Sequence, residues 1–243
     1  VAVKDALTSL LGSLNGLNGT DNASTGVLGE VSISTDAGDG KVVVYSPERL
    51  AESGEPAKVS VDDSEATAEV PAGVLQQAQG LVGDGHLMLS VVVMNEEMSE
   101  KFSTPPPITQ EGPVTTLLSA PLVINIRDEN GTVIDIGPLK TPMTVQLEVK
   151  KRRLDQASNS AGRKCAYWDE ERAVWETNPK EIESIEGDEA KPGLVRCRTK
   201  RMAIFSVVLE EFENTLKCST LGQLLTADAL ASLSRSPSLQ ADS

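Results

Sequence analysis

Histidine, cysteine and aromatic residues are all scarce in this chain, and their scarcity excludes several kinds of site. Among 243 residues there are one histidine and three cysteines, and aromatic residues make up 3%. Because His86 is the only histidine, no metal site with two histidine ligands can form within this chain, and any Ser-His or Cys-His catalysis would have to use it. The sequence also has no phosphate-binding loop, dinucleotide fingerprint or nucleophile elbow. We therefore predict that the chain is not an enzyme, has no catalytic residues and holds no cofactor.

Basic residues are also in short supply. Lysine and arginine total 22 against 36 aspartate and glutamate residues, which gives a net charge of −14. Since this balance opposes binding to a phosphate backbone, we expect no nucleic-acid partner.

Long apolar runs are missing as well. No stretch approaches the roughly 18 apolar residues that a membrane span needs, and no signal-peptide pattern follows Val1. We interpret the chain as a processed or excised piece of a larger protein, attached to a membrane only through segments outside it.

Acidic residues, in contrast, are abundant, and several lie in predicted turns where their oxygens could bind calcium. None has the spacing of a calcium-binding hand, and turn backbones accommodate aspartate without any metal. We therefore expect no metal site. These turn residues are Asp36, Asp39, Asp62, Asp63 and Asp128.

The pattern of apolar residues divides the chain into three parts. Residues 3–17 carry apolar residues at helical spacing, which predicts a short amphipathic helix. The following stretch is rich in Gly, Asn, Ser and Thr, so 1–29 is predicted to be a helix and a linker. Residues 30–212 form the main domain, and 213–243 a C-terminal tail.

Within the main domain, short stretches rich in β-branched residues and bounded by turn formers predict strands. Many such strands indicate a mainly β fold, an antiparallel two-sheet sandwich. The clearest hairpin turn is Asp128–Gly131, because Asn-Gly readily adopts the positive φ angles of a type I′ turn. The predicted strands are 31–33, 42–45, 59–61, 87–93, 122–126, 132–136, 143–149 and 204–209.

Two segments interrupt the strands. Residues 103–113 contain three consecutive prolines, and we interpret them as a rigid extended connector, with a Pro-rich recognition peptide as the alternative. Lys150–Arg153 is the one dense basic run. A solvated strand edge is the favoured interpretation, and a nuclear signal or a patch for an acidic partner is the alternative.

Three sequons for N-linked glycosylation occur, at Asn18, Asn22 and Asn130. Two of them share one predicted loop, which favours a secreted context.

The stretch from Cys165 to Phe212 holds both tryptophans, one of the two tyrosines and two of the three cysteines. The order of these residues resembles the GPS motif (GPCR proteolysis site), which forms the last strands of the GAIN domain in adhesion receptors and polycystin-like membrane proteins. This resemblance implies a GAIN-like sandwich over 30–212 with GPS-like strands over 165–212, and a strand-to-helix step at Val70–Leu75. The residues that fall on the motif are Cys165, Tyr167, Trp168, Trp175, Cys197 and Phe205.

The resemblance also implies a disulfide between Cys165 and Cys197. The family pairs its first cysteine with its third and its second with its fourth. Here the second and fourth are both absent, with Thr199 in the place of the fourth, so one complete bridge is lost. Cys218 is left over as a free thiol or an intermolecular partner. We further expect Trp168 and Trp175 to pack in the core of these strands.

Self-cleavage in the family depends on His-Leu-Thr or His-Leu-Ser, whereas this chain has Arg201-Met202-Ala203. Ala203 has no nucleophilic atom, and Arg201 stays protonated at physiological pH, so it cannot act as a general base. We therefore predict that the chain does not cleave itself. Arg198–Arg201 also matches the minimal site of furin-type convertases, although a paired strand does not enter a protease cleft without local unfolding.

These expectations lead to a non-catalytic structural or interaction module on the extracellular face of a larger, membrane-anchored surface protein. Its partners would be other domains of the same parent or neighbouring surface and matrix proteins. One alternative is a secreted coat or matrix protein with the same fold. Another is a cytosolic β-sandwich scaffold with reduced thiols.

Overall fold

The computed structural model describes residues 26–46, 54–83, 85–102, 114–150, 163–185 and 193–211. The predicted helix over 3–17, the proline segment 103–113, the tail 213–243 and the sequons at Asn18 and Asn22 lie outside these ranges. So do Cys218 and all of the basic run except Lys150.

Thirteen strands and two helices make up the described part of the chain. The helices are α1 (Ala72–Val82) and α2 (Glu96–Lys101). The strands are β1 (Val27–Thr35), β2 (Gly38–Tyr45), β3 (Ala57–Ser60), β4 (Thr67–Val70), β5 (Leu87–Met94), β6 (Val114–Leu117), β7 (Leu122–Arg127), β8 (Met143–Glu148), β9 (Arg163–Asp169), β10 (Val174–Glu176), β11 (Ile182–Ile185), β12 (Leu194–Thr199) and β13 (Ile204–Glu211).

The strands form two antiparallel sheets. Sheet A has eight strands in the order β1-β2-β5-β7-β13-β9-β10, and β6 pairs with β13 beside this path. Sheet B has five strands in the order β11-β12-β8-β4-β3. Every strand pair is antiparallel. The predicted mainly β, two-sheet architecture is therefore confirmed.

One hydrophobic core joins the two sheets. In β8 the side chains of Met143, Val145 and Leu147 are buried, while the residues between them are partly or fully exposed. This alternation arises because successive side chains of a strand point to opposite faces, so one face can meet the core. In sheet A, β7 follows the same rule with Leu122, Ile124 and Ile126, and all six residues belong to one buried cluster.

The predicted step from strand to helix occurs at Val70. β4 ends there, and Pro71 occupies the N-cap position of α1. Proline suits the start of a helix because it lacks the N–H that a helix interior would need to pair. α1 buries Val74, Leu75 and Ala78, all of which belong to the common core.

The hairpin after β7 differs from the prediction. Only Gly131 has a positive φ, of 80°, so the turn is not type I′, which needs two such residues. Instead, Asp128 Oδ1 accepts hydrogen bonds from the N–H groups of Asn130 and Thr132, at 3.0 and 2.7 Å. The predicted strand 132–136 is wrong too, since Val133 forms only an isolated bridge with Arg127.

Several strands and strand boundaries were missed, among them the start of β2 at Gly38 and the whole of β6. β1 begins at Val27, within the stretch predicted as a linker. β4 was not predicted, because Ala68 and Glu69 ordinarily disfavour strands. Its neighbours override that preference, since β3 and β8 pair with it on both sides.

Candidate functional site: the crossover between the two sheets

The disulfide connects the two sheets. Cys165 lies on β9 of sheet A and Cys197 on β12 of sheet B, and their sulfur atoms are bonded with Cα atoms 5.8 Å apart. Both residues are buried, at 2% and 0% exposure. The structure thus joins the cysteine pair that the resemblance implied. The N–H of Cys165 donates to Ser184 Oγ on β11 at 2.9 Å, which adds a second contact between the sheets.

Two of the motif aromatics lie in the core next to this bridge. Tyr167 and Phe205 face each other across β9 and β13. Phe205 is fully buried, and Tyr167 is 5% exposed. Because Cys165 and Tyr167 are two residues apart on one strand, their side chains point to the same inner face of sheet A.

The two tryptophans lie outside the main core, which corrects the prediction in part, since Trp175 packs against a smaller buried cluster of Leu117, Ala166 and Val208. Trp168 and Trp175 are both half-buried, and they pair across β9 and β10. Trp168 follows Tyr167 directly, so it points to the opposite, outer face of sheet A. Their ring centroids are 5.4 Å apart at an interplanar angle of 65°.

Phe102 completes this outer aromatic cluster. Its ring centroid lies 5.0 Å from that of Trp168 and 6.2 Å from that of Trp175. Its backbone carbonyl accepts a hydrogen bond from Trp175 Nε1 at 3.0 Å, so the ring N–H has the acceptor that a half-buried indole needs. Phe102 directly follows α2, whose N-cap residue Asn95 accepts a hydrogen bond from Met98 N at 2.9 Å.

Arg201-Met202-Ala203, which stands where the resembled family has its cleavage site, lies in the crossover from sheet B to sheet A. β12 ends at Thr199 and β13 begins at Ile204, so only four residues pass between the sheets. Thr199 Oγ1 accepts from Arg201 N at 3.1 Å, and Ala203 O accepts from Ile124 N at 3.4 Å. Met202 and Ala203 are half-buried and pack against the core, whereas Arg201 is exposed.

Arg201 takes part in a small polar cluster above the core. Its guanidinium carbon lies 5.1 Å from the centroid of the Tyr167 ring, and its Nε lies 2.5 Å from Glu181 Oε2. Burial raises the pKa of Tyr167 to about 12, and a hydrogen bond to the Glu181 carboxylate raises it in the same direction. A buried phenol beside a carboxylate holds its proton, because its anion would be both desolvated and repelled.

The hydroxyl groups downstream of the Met202–Ala203 bond are engaged in the contacts of β13. The nearest downstream hydroxyl, Ser206, is fully buried and lies 3.0 Å from Ser119 Oγ. Ser119 Oγ in turn accepts from Val207 N at 2.9 Å. Both hydroxyls therefore serve the pairing of β13.

His86 is exposed and precedes β5. Val91 of that strand pairs with Ile124, which is the residue that contacts Ala203. Five residues of extended strand separate His86 from Val91, a distance of about 16 Å. The single histidine is thus remote from the crossover.

Among the turn aspartates that were considered as calcium ligands, Asp62 makes contacts that involve no metal. Asp62 forms an ion pair with Lys41 at 3.0 Å and accepts a hydrogen bond from Ser32. These contacts lower the pKa of Asp62, mainly through the Ser32 hydrogen bond. Among the described residues no group of three or more His, Cys, Asp or Glu side chains is arranged to hold a metal ion. Asn130 is exposed in its turn.

Two members of the site were missed by sequence reasoning. Glu181 and Phe102 lie 20 and 73 residues from their partners Arg201 and Trp175. Neither has a spacing signal in the sequence. α2 itself carried a readable signal, because Asn95 is followed by Glu96 and Glu97, a common start of a helix.

Comparison with known proteins adds no family. No protein-family model matches the chain, and no curated protein sequence matches it. In the described part of the chain, none of the helices is both long and apolar enough to pass through a bilayer. The resemblance to the GAIN domain therefore stays a prediction based on the residues of the motif.

Proposed function

We propose that this chain is a non-catalytic extracellular module of a larger, membrane-anchored surface protein, in which a GAIN-like fold has lost self-cleavage and keeps a continuous link between its two sheets. The observation that carries the proposal is the disulfide between β9 and β12 beside the crossover at Arg201–Ala203. Together they give two covalent connections between the sheets at one place.

The disulfide supports an extracellular location. Structural disulfides persist in oxidising compartments and are rare in the cytosol. A cytosolic scaffold with reduced thiols, the alternative, would have to keep Cys165 and Cys197 reduced while they are buried against each other. Counting thiols in the denatured, never-reduced protein separates the two. One reactive thiol is expected where Cys218 is free and none where it bridges to another molecule, whereas three would contradict the extracellular proposal.

The position of β13 supports a mechanical role. This strand pairs with β9 on one side and with β6 and β7 on the other. Pulling it from the sheet would break backbone hydrogen bonds on both edges and expose Phe205 and Val207. With an unbroken chain at Met202–Ala203, a load on β13 passes through the covalent backbone to β12. The parent's other domains or neighbouring matrix proteins would be what the module holds.

Mass spectrometry under denaturing conditions tests the loss of cleavage. The protein is secreted from animal cells, denatured without reductant and then reduced, so that any fragments separate. We expect a single chain that is continuous across Met202–Ala203. A fragment beginning at Ala203 would refute the proposal.

A restored variant provides the matched control. In Arg201→His/Met202→Leu/Ala203→Thr the three residues that the family uses for cleavage are replaced together. If the crossover has the family's geometry, this variant yields a fragment that begins at residue 203, whereas the natural chain does not. Such a result would assign the loss of cleavage to these three residues rather than to the fold. If the restored variant stays intact, the result would count against the GAIN-like geometry. The three substitutions would then not explain why the natural chain is uncleaved.

A further inference from the structure

A shallow groove runs beside the crossover, on the outer side of sheet B. Its volume is about 560 Å³, and its walls come from three segments: residues 140–142 before β8, residues 179–183 at the start of β11, and residues 198–200 at the end of β12. Backbone hydrogen bonds hold these segments together. Leu139 N donates to Lys200 O at 2.7 Å, and Lys200 N donates to Glu181 O at 3.0 Å. The groove is thus built on paired backbone.

The groove is positively charged on a chain whose net charge is −14. Lys140, Lys180 and Lys200 line it and are exposed. Within the described part of the chain, none of these three ammonium groups has a carboxylate in ion-pair range. Lys41, Lys58 and Lys150 differ from them, since each has a carboxylate within 4.0 Å.

The carboxylates of the groove are already neutralised. Glu181 pairs with Arg201 at 2.5 Å, and Glu183 pairs with Arg198 at 3.7 Å. Counting these four charges with the three lysines leaves a net charge of about +3 from the described residues around the groove. Cations that converge in a concave site produce a local potential that attracts anions even when the whole molecule is acidic.

The walls favour a ligand that is polar along its length. Ile182 is the one aliphatic side chain of the lining other than proline, and it is only 2% exposed. An acidic peptide binds best when an apolar side chain finds a pocket, and the groove offers none. A sulfated sugar carries hydroxyls that suit polar walls and fixed charges that can meet several lysines at once. Several contacts are needed, because a single exposed ion pair contributes only about 0 to 1 kcal/mol.

We propose that the lysine groove, formed by Lys140, Lys180 and Lys200, binds sulfated polysaccharide chains. The choice of a sulfated glycan over other polyanions rests on the extracellular location proposed above. The groove and its positive charge are features of the structure and do not depend on that proposal. Because the contacts are between exposed charges, salt weakens the binding.

The proposal is tested by measuring the affinity of the full chain for a defined heparin oligosaccharide, using calorimetry at physiological ionic strength. The variant Lys140→Glu/Lys180→Glu/Lys200→Glu is expected to bind at least about tenfold more weakly. The matched control is Lys150→Glu/Lys151→Glu/Arg153→Glu, which makes the same three charge reversals in the dense basic run. It is expected to keep most of the affinity. Loss of binding in the control with retention in the groove variant would overturn the proposal.

Two further measurements keep the outcome clear. The urea midpoint of each variant shows whether it is folded. If the charge reversals unfold the groove variant, the variant Lys140→Gln/Lys180→Gln/Lys200→Gln takes its place. De-sulfated heparin and poly-L-glutamate serve as ligand controls. Equal affinity for poly-L-glutamate would overturn the glycan assignment. The thiol count tests the extracellular location without any ligand. A failure of the proposed location is therefore distinguishable from a failure of the protein to bind heparin.

Discussion

The hydroxyl of Tyr167 lies beside the carboxylate of Glu181, and its ring lies below the guanidinium of Arg201. Each of the three side chains therefore constrains the other two. Arg201 occupies the position where the resembled family has its cleavage histidine, and here it contributes a cation–π contact and an ion pair instead of a base. A cation over an aromatic ring stabilises by about 0.5 to 2 kcal/mol.

Tyr167 also gives the protein a pH dependence in the alkaline range. Its folded-state pKa of about 12 exceeds the ordinary value of 10.0, so the folded state holds the phenolic proton more strongly than the unfolded state does. The stability from Tyr167 is fully present below pH 10 and is lost as the pH rises through 12.

The variant Tyr167→Phe isolates this contribution, because phenylalanine does not ionise. Urea unfolding of both proteins at pH 9 and near pH 12 is the measurement. The stability advantage of the natural chain over the variant is expected to shrink by about 2 kcal/mol between the two conditions. Tyr45, whose pKa burial also raises, is present in both proteins and cancels. An advantage that does not change with pH would contradict the assignment.

The outer aromatic cluster of Phe102, Trp168 and Trp175 allows a second test. Full burial would make Trp168→Ala cost about 3 to 5 kcal/mol, but the observed half-burial lowers the expectation to about 2 kcal/mol. Trp175→Phe keeps a ring at the site and removes the N–H that donates to the Phe102 carbonyl. Its expected cost is about 1 kcal/mol. Urea midpoints that stay unchanged in both variants would mean that the cluster does not stabilise the sandwich.

At the scale of elements, the pair β12 and β13 is what the site depends on. One strand belongs to sheet B and the other to sheet A, and four residues connect them. β9 is the partner of β13, and the disulfide returns from β9 to β12. These three strands therefore form a closed ring. Strand pairing joins β9 to β13, the backbone joins β13 to β12, and the disulfide joins β12 to β9.

Removing the disulfide should therefore destabilise the sandwich. Cys165 and Cys197 are 32 residues apart, and closing such a loop stabilises by about 3 to 4 kcal/mol in the chain-entropy estimate. The variant Cys165→Ala/Cys197→Ala is expected to lose that amount in urea unfolding. Cys218→Ala is the control, and we expect it to match the natural chain. Equal stability of all three proteins would show that the bridge is not formed in solution.

At the scale of the whole molecule, the pairing within sheet B is expected to protect the basic sequence Arg198–Arg201 from proteases. Arg198 and Thr199 lie in β12, which pairs with β11 on one side and with β8 on the other. Thr199 is 1% exposed. A protease must bind its substrate in an extended form with free backbone groups, so cleavage after Arg201 requires local unfolding of sheet B.

Incubation with a furin-type convertase tests this protection. The folded protein is expected to stay intact, and the reduced, alkylated and unfolded chain is expected to be cut after Arg201. N-terminal sequencing identifies the product. A new N-terminus at Met202 in the folded, oxidised protein would contradict the expectation and would make β13 a strand held only by pairing.

The sequence by itself determined the class of fold. Stretches rich in β-branched residues, such as 87–93 and 143–149, became β5 and β8 at nearly the predicted bounds. β8 alternates because only one of its faces is buried, whereas both faces of β5 are buried from Leu87 to Val91. The sequence also determined which two cysteines the family order would pair, and that Ala203 carries no nucleophile.

The tertiary structure decided which partners meet. The tryptophans lie on the outer face because Trp168 follows the inward-pointing Tyr167, and the strand period of two leaves no choice once the pairing of β9 with β13 is set. Glu181 reaches Arg201 only because β11 pairs with β12. Lys140, Lys180 and Lys200 are scattered in the chain and share one groove only when three loops converge. Contacts between distant segments leave no spacing signal in the chain, so the site could not be read from the sequence alone.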